Sequence, residues 1–545
     1  MDNRRLLLSI IFFVSIFMLW EAWNRQHAPQ PVAGSAAQAS AQSGAPVPSA
    51  SLQPGVTAPT GDAASQSAAE KVTVTTDLFK AEISSQGGDL VRLELLKHKS
   101  ADENASPDHR LVLIDPAHRY EAQTGLIGDN LPTHRSTFKV LPGKREMAEG
   151  SDTLTLSLEA DTANGVKVIK TYTFHRDSYV IDVGYEIDNH SQAAVAPHAY
   201  FQLQRDETKP AGEARMVSTF TGPAFYSAAD KYQKVDFSDI EKDKAKHVKT
   251  ADNGWVAMVQ HYFVTTFLPQ GNVTREFYTR KVGNGAVAAG VILPVQSIAP
   301  GAKGGITVPM YAGPQVQSEL KKLADGLDLV VDYGWLTIIA APLFWVLQAL
   351  HKLTGNWGWA IILLTIGLKL LFFPLSAASY KSMAKMRQVT PRLTQIKERF
   401  GDDRQRMNQE MMELYKKEKI NPLGGCLPIV VQIPVFIALY WVLLGAVEMR
   451  QAPWLGWITD LSVADPFYIL PVFMMVTMLI QTKLNPTPPD PIQAKVMWMM
   501  PLVFGVMFFF FPAGLVLYWT VNNLLSIAQQ WSINRMMGDG KAAKA

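Results

Sequence analysis

The chain is short of cysteine and of charge. Only Cys426 is a cysteine among 545 residues, so no internal disulfide can form, and any large domain must hold together through its own core. A lone thiol in an apolar stretch reads as a packing residue rather than a nucleophile. Charged residues make up 18% of the chain, below the usual quarter, and a net charge of +3 does not by itself imply a nucleic-acid partner. There is no phosphate-cradling glycine-rich loop and no H-x-x-H or H-E-x-x-H spacing, so no motif commits the chain to nucleotide or zinc-hydrolase chemistry. His109, His118 and His134 stand among charged loop residues and read as surface histidines. The apolar stretches between Ile361 and Ile533 contain no Asp, Glu or His, the groups from which proton and cation relays are built.

What is present divides the chain. Residues 1–24 carry Arg4 and Arg5, an apolar run, and Trp20 and Trp23. No small-residue cleavage site follows the run, so it reads as an uncleaved transmembrane anchor with a cytoplasmic N-terminus. Residues 25–70, rich in Ala, Gln, Ser, Pro and Gly, read as a flexible periplasmic linker. Residues 71–325 alternate apolar and polar with period two, as in Val166-Lys-Val-Ile-Lys-Thr-Tyr-Thr-Phe. Turns such as Gln86-Gly-Gly-Asp separate the runs. Many short half-buried strands predict a large periplasmic β-sandwich. Residues 326–356 are apolar but broken by Asp332 and Pro342; they are either a further span or an interfacial amphipathic helix, and the second is preferred because Gly355-Asn-Trp-Gly-Trp leaves almost no loop before the next helix.

The remaining apolar runs predict membrane helices over 357–379, 422–447, 467–483, 495–511 and 515–533. With the anchor they make a six-span bundle. A periplasmic loop spans 448–466, a cytoplasmic loop 484–494, and a basic tail 534–545. Residues 380–421 hold eleven Lys/Arg against six Asp/Glu, which keeps them cytoplasmic. Their apolar positions step by three and four around the turn Gly401-Asp402-Asp403, predicting a helical hairpin. Its methionines Met383, Met386, Met407 and Met411 are either an adaptable surface for apolar clients or an ordinary hairpin seam.

Lys369 lies midway along the first of these core helices. About twelve residues at 1.5 Å each separate it from the bounding Trp357 and Lys381, roughly 18 Å on either side. An ammonium there costs about 2.5–3.5 kcal/mol to insert, and a lysine stem of about 6 Å does not reach the headgroups across about 15 Å. The expected resolution is a wet, protein-lined cavity. Thr365 stands four residues earlier, on the same face. Gln432, Thr477, Gln481, Thr520, Asn522, Asn523 and Gln529 either line such a groove or join helices to one another.

Several stretches together resemble the YidC-type membrane protein insertases of Gram-negative bacteria, over nearly the whole chain. They are Tyr380-Lys-Ser-Met-Ala-Lys-Met-Arg, Gly401-Asp-Asp-Arg-Gln-Arg-Met-Asn-Gln-Glu-Met-Met, Asn421-Pro-Leu-Gly-Gly-Cys-Leu-Pro, Glu448-Met-Arg-Gln-Ala-Pro, Asp465-Pro-Phe-Tyr-Ile-Leu-Pro and Phe511-Pro-Ala-Gly-Leu-Val-Leu-Tyr-Trp. The resemblance implies an N-terminal anchor, a five-helix core, a sandwich akin to sugar-mutarotase folds, and a groove open to cytoplasm and lipid. It implies inner-membrane localisation with both termini cytoplasmic, and no cofactor. The implied partners are nascent membrane proteins, the Sec translocon with its accessory subunits, ribosomes and signal-recognition components. Where the family commonly has an arginine four residues after a threonine, this chain has Lys369 after Thr365; the charge is kept and the planar fork is lost. The groove-supporting aromatic of the family falls on Tyr518-Trp519, and Trp519 lacks a hydroxyl. Two other readings use the same residues: a secondary transporter with Lys369 as an anion site, which requires internal repeats that the sequence does not display, and a membrane-anchored carbohydrate enzyme with its activity in 71–325.

Overall fold

The computed structural model describes residues 69–100, 109–162, 165–210, 219–283, 285–400, 403–418, 427–485 and 491–542. The anchor 1–24, nearly all of the linker 25–70, the turn residues Gly401 and Asp402, and Cys426 lie outside them.

Residues 71–314 form two nine-stranded antiparallel sheets packed face to face. The first runs from Lys71–Thr75 at one edge through Phe79–Ser84, Leu90–Lys99, Glu121–Ile127, His198–Asp206, Ala286–Pro294 and Arg275–Val282 to Thr250–Ala251; Arg110–Ile114 pairs beside Leu90–Lys99. The second runs from Lys231–Lys234 through Gly222–Ser227, Trp255–Gln260, Phe263–Phe267, Lys303–Pro314, Val180–Asn189, Val166–His175 and Thr153–Asp161 to Lys139–Val140. Val166–His175 buries every second residue, because one face meets the opposite sheet and the other meets water. Trp255–Gln260 and Phe263–Phe267 are buried at every position. Their outward face is covered by Leu320, Leu327 and Val330 from the segment that leaves the sandwich.

Among the charged side chains buried in this domain, Lys170 and Arg275 are held by hydrogen bonds. Lys170 donates to the Gly87 carbonyl at 2.9 Å and to Asp89 Oδ1 at 3.2 Å. Tyr172 and Tyr185 present their rings to its ammonium. Arg275 is spent entirely on carbonyls, with five hydrogen bonds to Val273, Gly254, Pro269, Asp252 and Gly271 that fasten two loops. His134 corrects the surface-histidine reading. Its main-chain N–H donates to the Tyr200 hydroxyl at 2.9 Å, its Nδ1 lies 2.5 Å from the same oxygen, and burial pushes its pKa down to about 3.

Beyond the short helix Gln317–Leu323, eight longer helices lie among the described residues: α1 (Thr337–Thr354), α2 (Trp357–Leu371), α3 (Phe373–Phe400), α4 (Arg404–Lys417), α5 (Leu427–Gly445), α6 (Ile469–Leu484), α7 (Pro491–Phe508) and α8 (Ala513–Ala542). α1 ends on Gly355 at φ +65, whose N–H bonds the His351 carbonyl. Asn356 then caps α2 by accepting from Trp359 N. α1 buries Ala340, Phe344 and Leu347 and exposes Ile338, Trp345 and Leu353. With its preceding turn it forms Gly334–Thr354, the one continuous helical stretch among the described residues that is by itself long and apolar enough to cross a membrane.

The helix expected over 357–379 is broken in the structure. The chain bends by 63° between α2 and α3. Phe372 breaks the helical run, and Pro374 lacks the N–H that would bond the Leu370 carbonyl. Lys369 therefore sits in the last turn of α2 rather than midway along a straight span. α3 and α4 pack on each other through Met386, Val389, Leu393, Met411, Leu414 and Tyr415. Asp403 caps α4 by accepting from Arg406 N at 3.0 Å.

The sandwich and the bundle share one apolar core. It runs from Trp255 and Val264 on the sandwich through Val330, Leu336 and Phe344 to Val442 on α5 and Leu517 and Tyr518 on α8. Polar contacts reinforce the junction. His261 Nε2 lies 3.0 Å from the Leu444 carbonyl, and Arg450 donates to the Lys99 carbonyl while lying over the Phe263 ring.

Candidate functional site

A trough of about 330 Å³ opens among α2, α3, α5, α6 and α8. Lys369 enters from α2. Ser376, Ser379 and Tyr380 come from α3, Gln432, Ile433 and Phe436 from α5, and Met478, Gln481 and Thr482 from α6, with Asn485 just beyond. α8 contributes Tyr518, Trp519, Asn522, Asn523 and Ser526. Residues 518, 522 and 526 follow one another at four-residue spacing and so share a face of α8.

Among the described residues, Lys369 is the only formally charged side chain lining the trough, and no carboxylate pairs with it. Its Nζ donates to Ser526 Oγ at 2.7 Å, and the Ser526 hydroxyl donates in turn to the Asn522 carbonyl at 2.8 Å. Gln432 Nε2 donates to Asn522 Oδ1 at 2.9 Å. These bonds tie α2, α8 and α5 into one polar chain across the trough. Aromatic rings stiffen the wall beside it: Phe436 stacks on Tyr518 with centroids 6.1 Å apart and meets the edge of Trp519 at 4.4 Å.

Of the residues singled out from sequence, Lys369, Gln432, Gln481, Tyr518, Trp519, Asn522 and Asn523 line this trough. Thr365 does not. It is 1% exposed and spends its hydroxyl on the Ile361 carbonyl of its own helix. Thr477 and Thr520 also bond their own helices, at Met474 and Val516, and Thr477 accepts from Asn523 Nδ2 of α8 at 3.3 Å. Met386 and Met411 lie in the α3–α4 seam; Met407 is half-buried, and the side chain of Met383 lies outside the described set. Sequence reasoning missed Ser526, Ser376, Ser379 and Tyr380. The four-residue spacing from Tyr518 to Ser526 was the available signal.

A trough of neutral amides and hydroxyls around one cation offers hydrogen bonds to a polypeptide and a charge to a carboxylate. The comparisons fit this. Residues 71–346 match the family described as the YidC periplasmic domain, and residues 349–540 match the family described as the 60Kd inner membrane protein. A membrane protein insertase YidC of Dechloromonas aromatica is 63% identical over 546 residues, covering 100% of this chain and 99% of that one. The chain belongs to the YidC family of membrane protein insertases. A second YidC insertase, from Aromatoleum aromaticum, is 59% identical and covers 99% of each chain. A crystal structure described as an active YidC insertase with the first transmembrane domain resolved has a TM-score of 0.39 at 20% identity, covering 84% of this chain and 91% of that one. Within this YidC chain, the sandwich falls inside the first match and the trough inside the second.

Proposed function

We propose that this YidC-family chain inserts client segments into the bacterial inner membrane through the trough, with Lys369 receiving an acidic flank of the client. Insertion of membrane proteins is the family's activity, and nascent membrane proteins are its clients. The observation that carries the reading is a lone lysine among neutral polar side chains in an otherwise apolar bundle. An unpaired charge out of bulk water is costly unless hydrated or met by an opposite charge. A client carboxylate supplies that charge where the low local dielectric strengthens the attraction. The flank then crosses what remains of the bilayer, aided by about 2.3 kcal/mol per charge for each 100 mV of outside-positive potential. The apolar segment slides out between helices into lipid, which drives release.

The topology that goes with this mechanism has six spans: 1–24, 357–379, 422–447, 467–483, 495–511 and 515–533. The 380–421 helical pair and the 534–545 tail face the cytoplasm, and 71–325 lies in the periplasm. The surplus of Lys and Arg in 380–421 supports that orientation. The family resemblance supports cooperation with the Sec translocon, ribosomes and signal-recognition components. The test is insertion of a single-span client with an acidic flank by proteoliposomes holding Lys369→Ala, Lys369→Glu or Lys369→Arg. The Ala variant is expected to lose roughly ten-fold in rate, the Glu variant more, and the Arg variant little. Undiminished insertion by the Glu variant refutes the role of the charge.

A further inference from the structure

We propose that Ser526 is the positioning residue for Lys369, fixing where in the trough the client's acidic flank is received. The proposal rests on the reading that Lys369 receives that flank. A lysine ammonium is a compact charge on a flexible four-carbon stem, and it lacks the rigid fork by which arginine orients itself. Left free in a trough of this size it would sample many rotamers, and each client would have to immobilise it. Here the stem is already held. Nζ gives one proton to Ser526 Oγ at 2.7 Å, and because the Ser526 hydroxyl is turned to the Asn522 carbonyl at 2.8 Å, its oxygen faces the ammonium as an acceptor. Asn522 is fixed in turn by Gln432 of α5. The ammonium is thus parked against α8 with two protons left for an incoming carboxylate. Ser526 is 3% exposed and also hydrogen-bonds the Tyr380 side chain, so it sits at the trough wall already engaged by two trough residues.

The consequence is selectivity rather than capacity. Loss of Ser526 leaves the charge in the trough but lets it wander. Clients that depend on the charge suffer more than clients with neutral flanks. The experiment uses the full chain in proteoliposomes with two single-span clients that differ only in two flanking residues, Asp-Asp or Asn-Asn. The acidic-to-neutral insertion ratio, measured in the same vesicles, is insensitive to how much active protein each preparation holds. Ser526→Ala is expected to lower that ratio about five-fold, the effect of one ordinary hydrogen bond, whatever it does to insertion of the neutral client. Ser526→Thr keeps the hydroxyl and is expected to restore the ratio. An equal loss for both clients marks Ser526 as a packing residue and overturns the proposal, as does an unchanged ratio. Lys369→Ala serves as the separate control. If it leaves the ratio at the wild-type value, the reading of Lys369 itself fails. If it collapses the ratio while Ser526→Ala does not, only the positioning role is lost.

Discussion

Glu448 offers a test of how the sandwich–bundle junction responds to pH. It lies in the short turn Val447–Met449 that follows α5, between two buried neighbours. Both carboxyl oxygens are shielded from solvent and accept from no other residue; the only group favouring ionisation is its own main-chain N–H. Burial therefore pushes its pKa from 4.5 up to about 7. In the unfolded chain the group ionises near 4.5, while in the folded chain it keeps its proton until near 7. Between those values the unfolded state releases a proton that the folded state retains, so stability falls as pH rises through this window and levels off above it. At 1.36 kcal/mol per unit, the change amounts to at most about 3 kcal/mol. Glu448→Gln cannot ionise and removes the slope. The measurement is chemical unfolding in detergent, followed by tryptophan fluorescence, for wild type and variant from pH 4.5 to 8. Asp89, also raised by burial, adds its own slope to both proteins and cancels in the comparison. The variant is expected to start less stable at low pH, since its amide finds no partner, and to gain about 3 kcal/mol on wild type by pH 7. Parallel profiles would refute the reasoning.

Two further substitutions probe buried polar groups. Lys170→Met leaves Asp89 buried without its ammonium and is expected to cost about 3–5 kcal/mol, read as a lowered unfolding midpoint; a loss below about 1 kcal/mol would show that the pair is dispensable. Asp465, 1% exposed, accepts from Trp457 Nε1 at 2.9 Å, from Phe467 N at 3.0 Å and from Leu470 N at 2.7 Å at the start of α6. Asp465→Ala strands all three donors and is expected to cost about 1–3 kcal/mol, with Asp465→Asn milder; equal melting temperatures for the two variants would count against the capping role.

The strands that alternate, such as Val166–His175, were readable because one of their faces meets water. Ala286–Pro294 was not, since eight of its nine residues are buried and a run buried on both faces has no period to detect. Lys369 stood out in the sequence because a charge in an apolar run is conspicuous. Its partner Ser526 lies 157 positions away, and serine is unremarkable in any helix. Thr365 illustrates the opposite error. Four-residue spacing puts it on the face of Lys369, but its hydroxyl had an acceptor one turn back in its own backbone, and a local bond of that kind competes with any partner across the trough. The break after α2 was marked by Pro374, a residue that hydrophobicity alone passes over.

The apolar seam linking Trp255 to Tyr518 leaves the two halves of the molecule no slack. Close-packed interiors compress little and carry strain across their full length. A load applied to the outer domain by anything that grips it would arrive, helix by helix, at the aromatic wall of the trough.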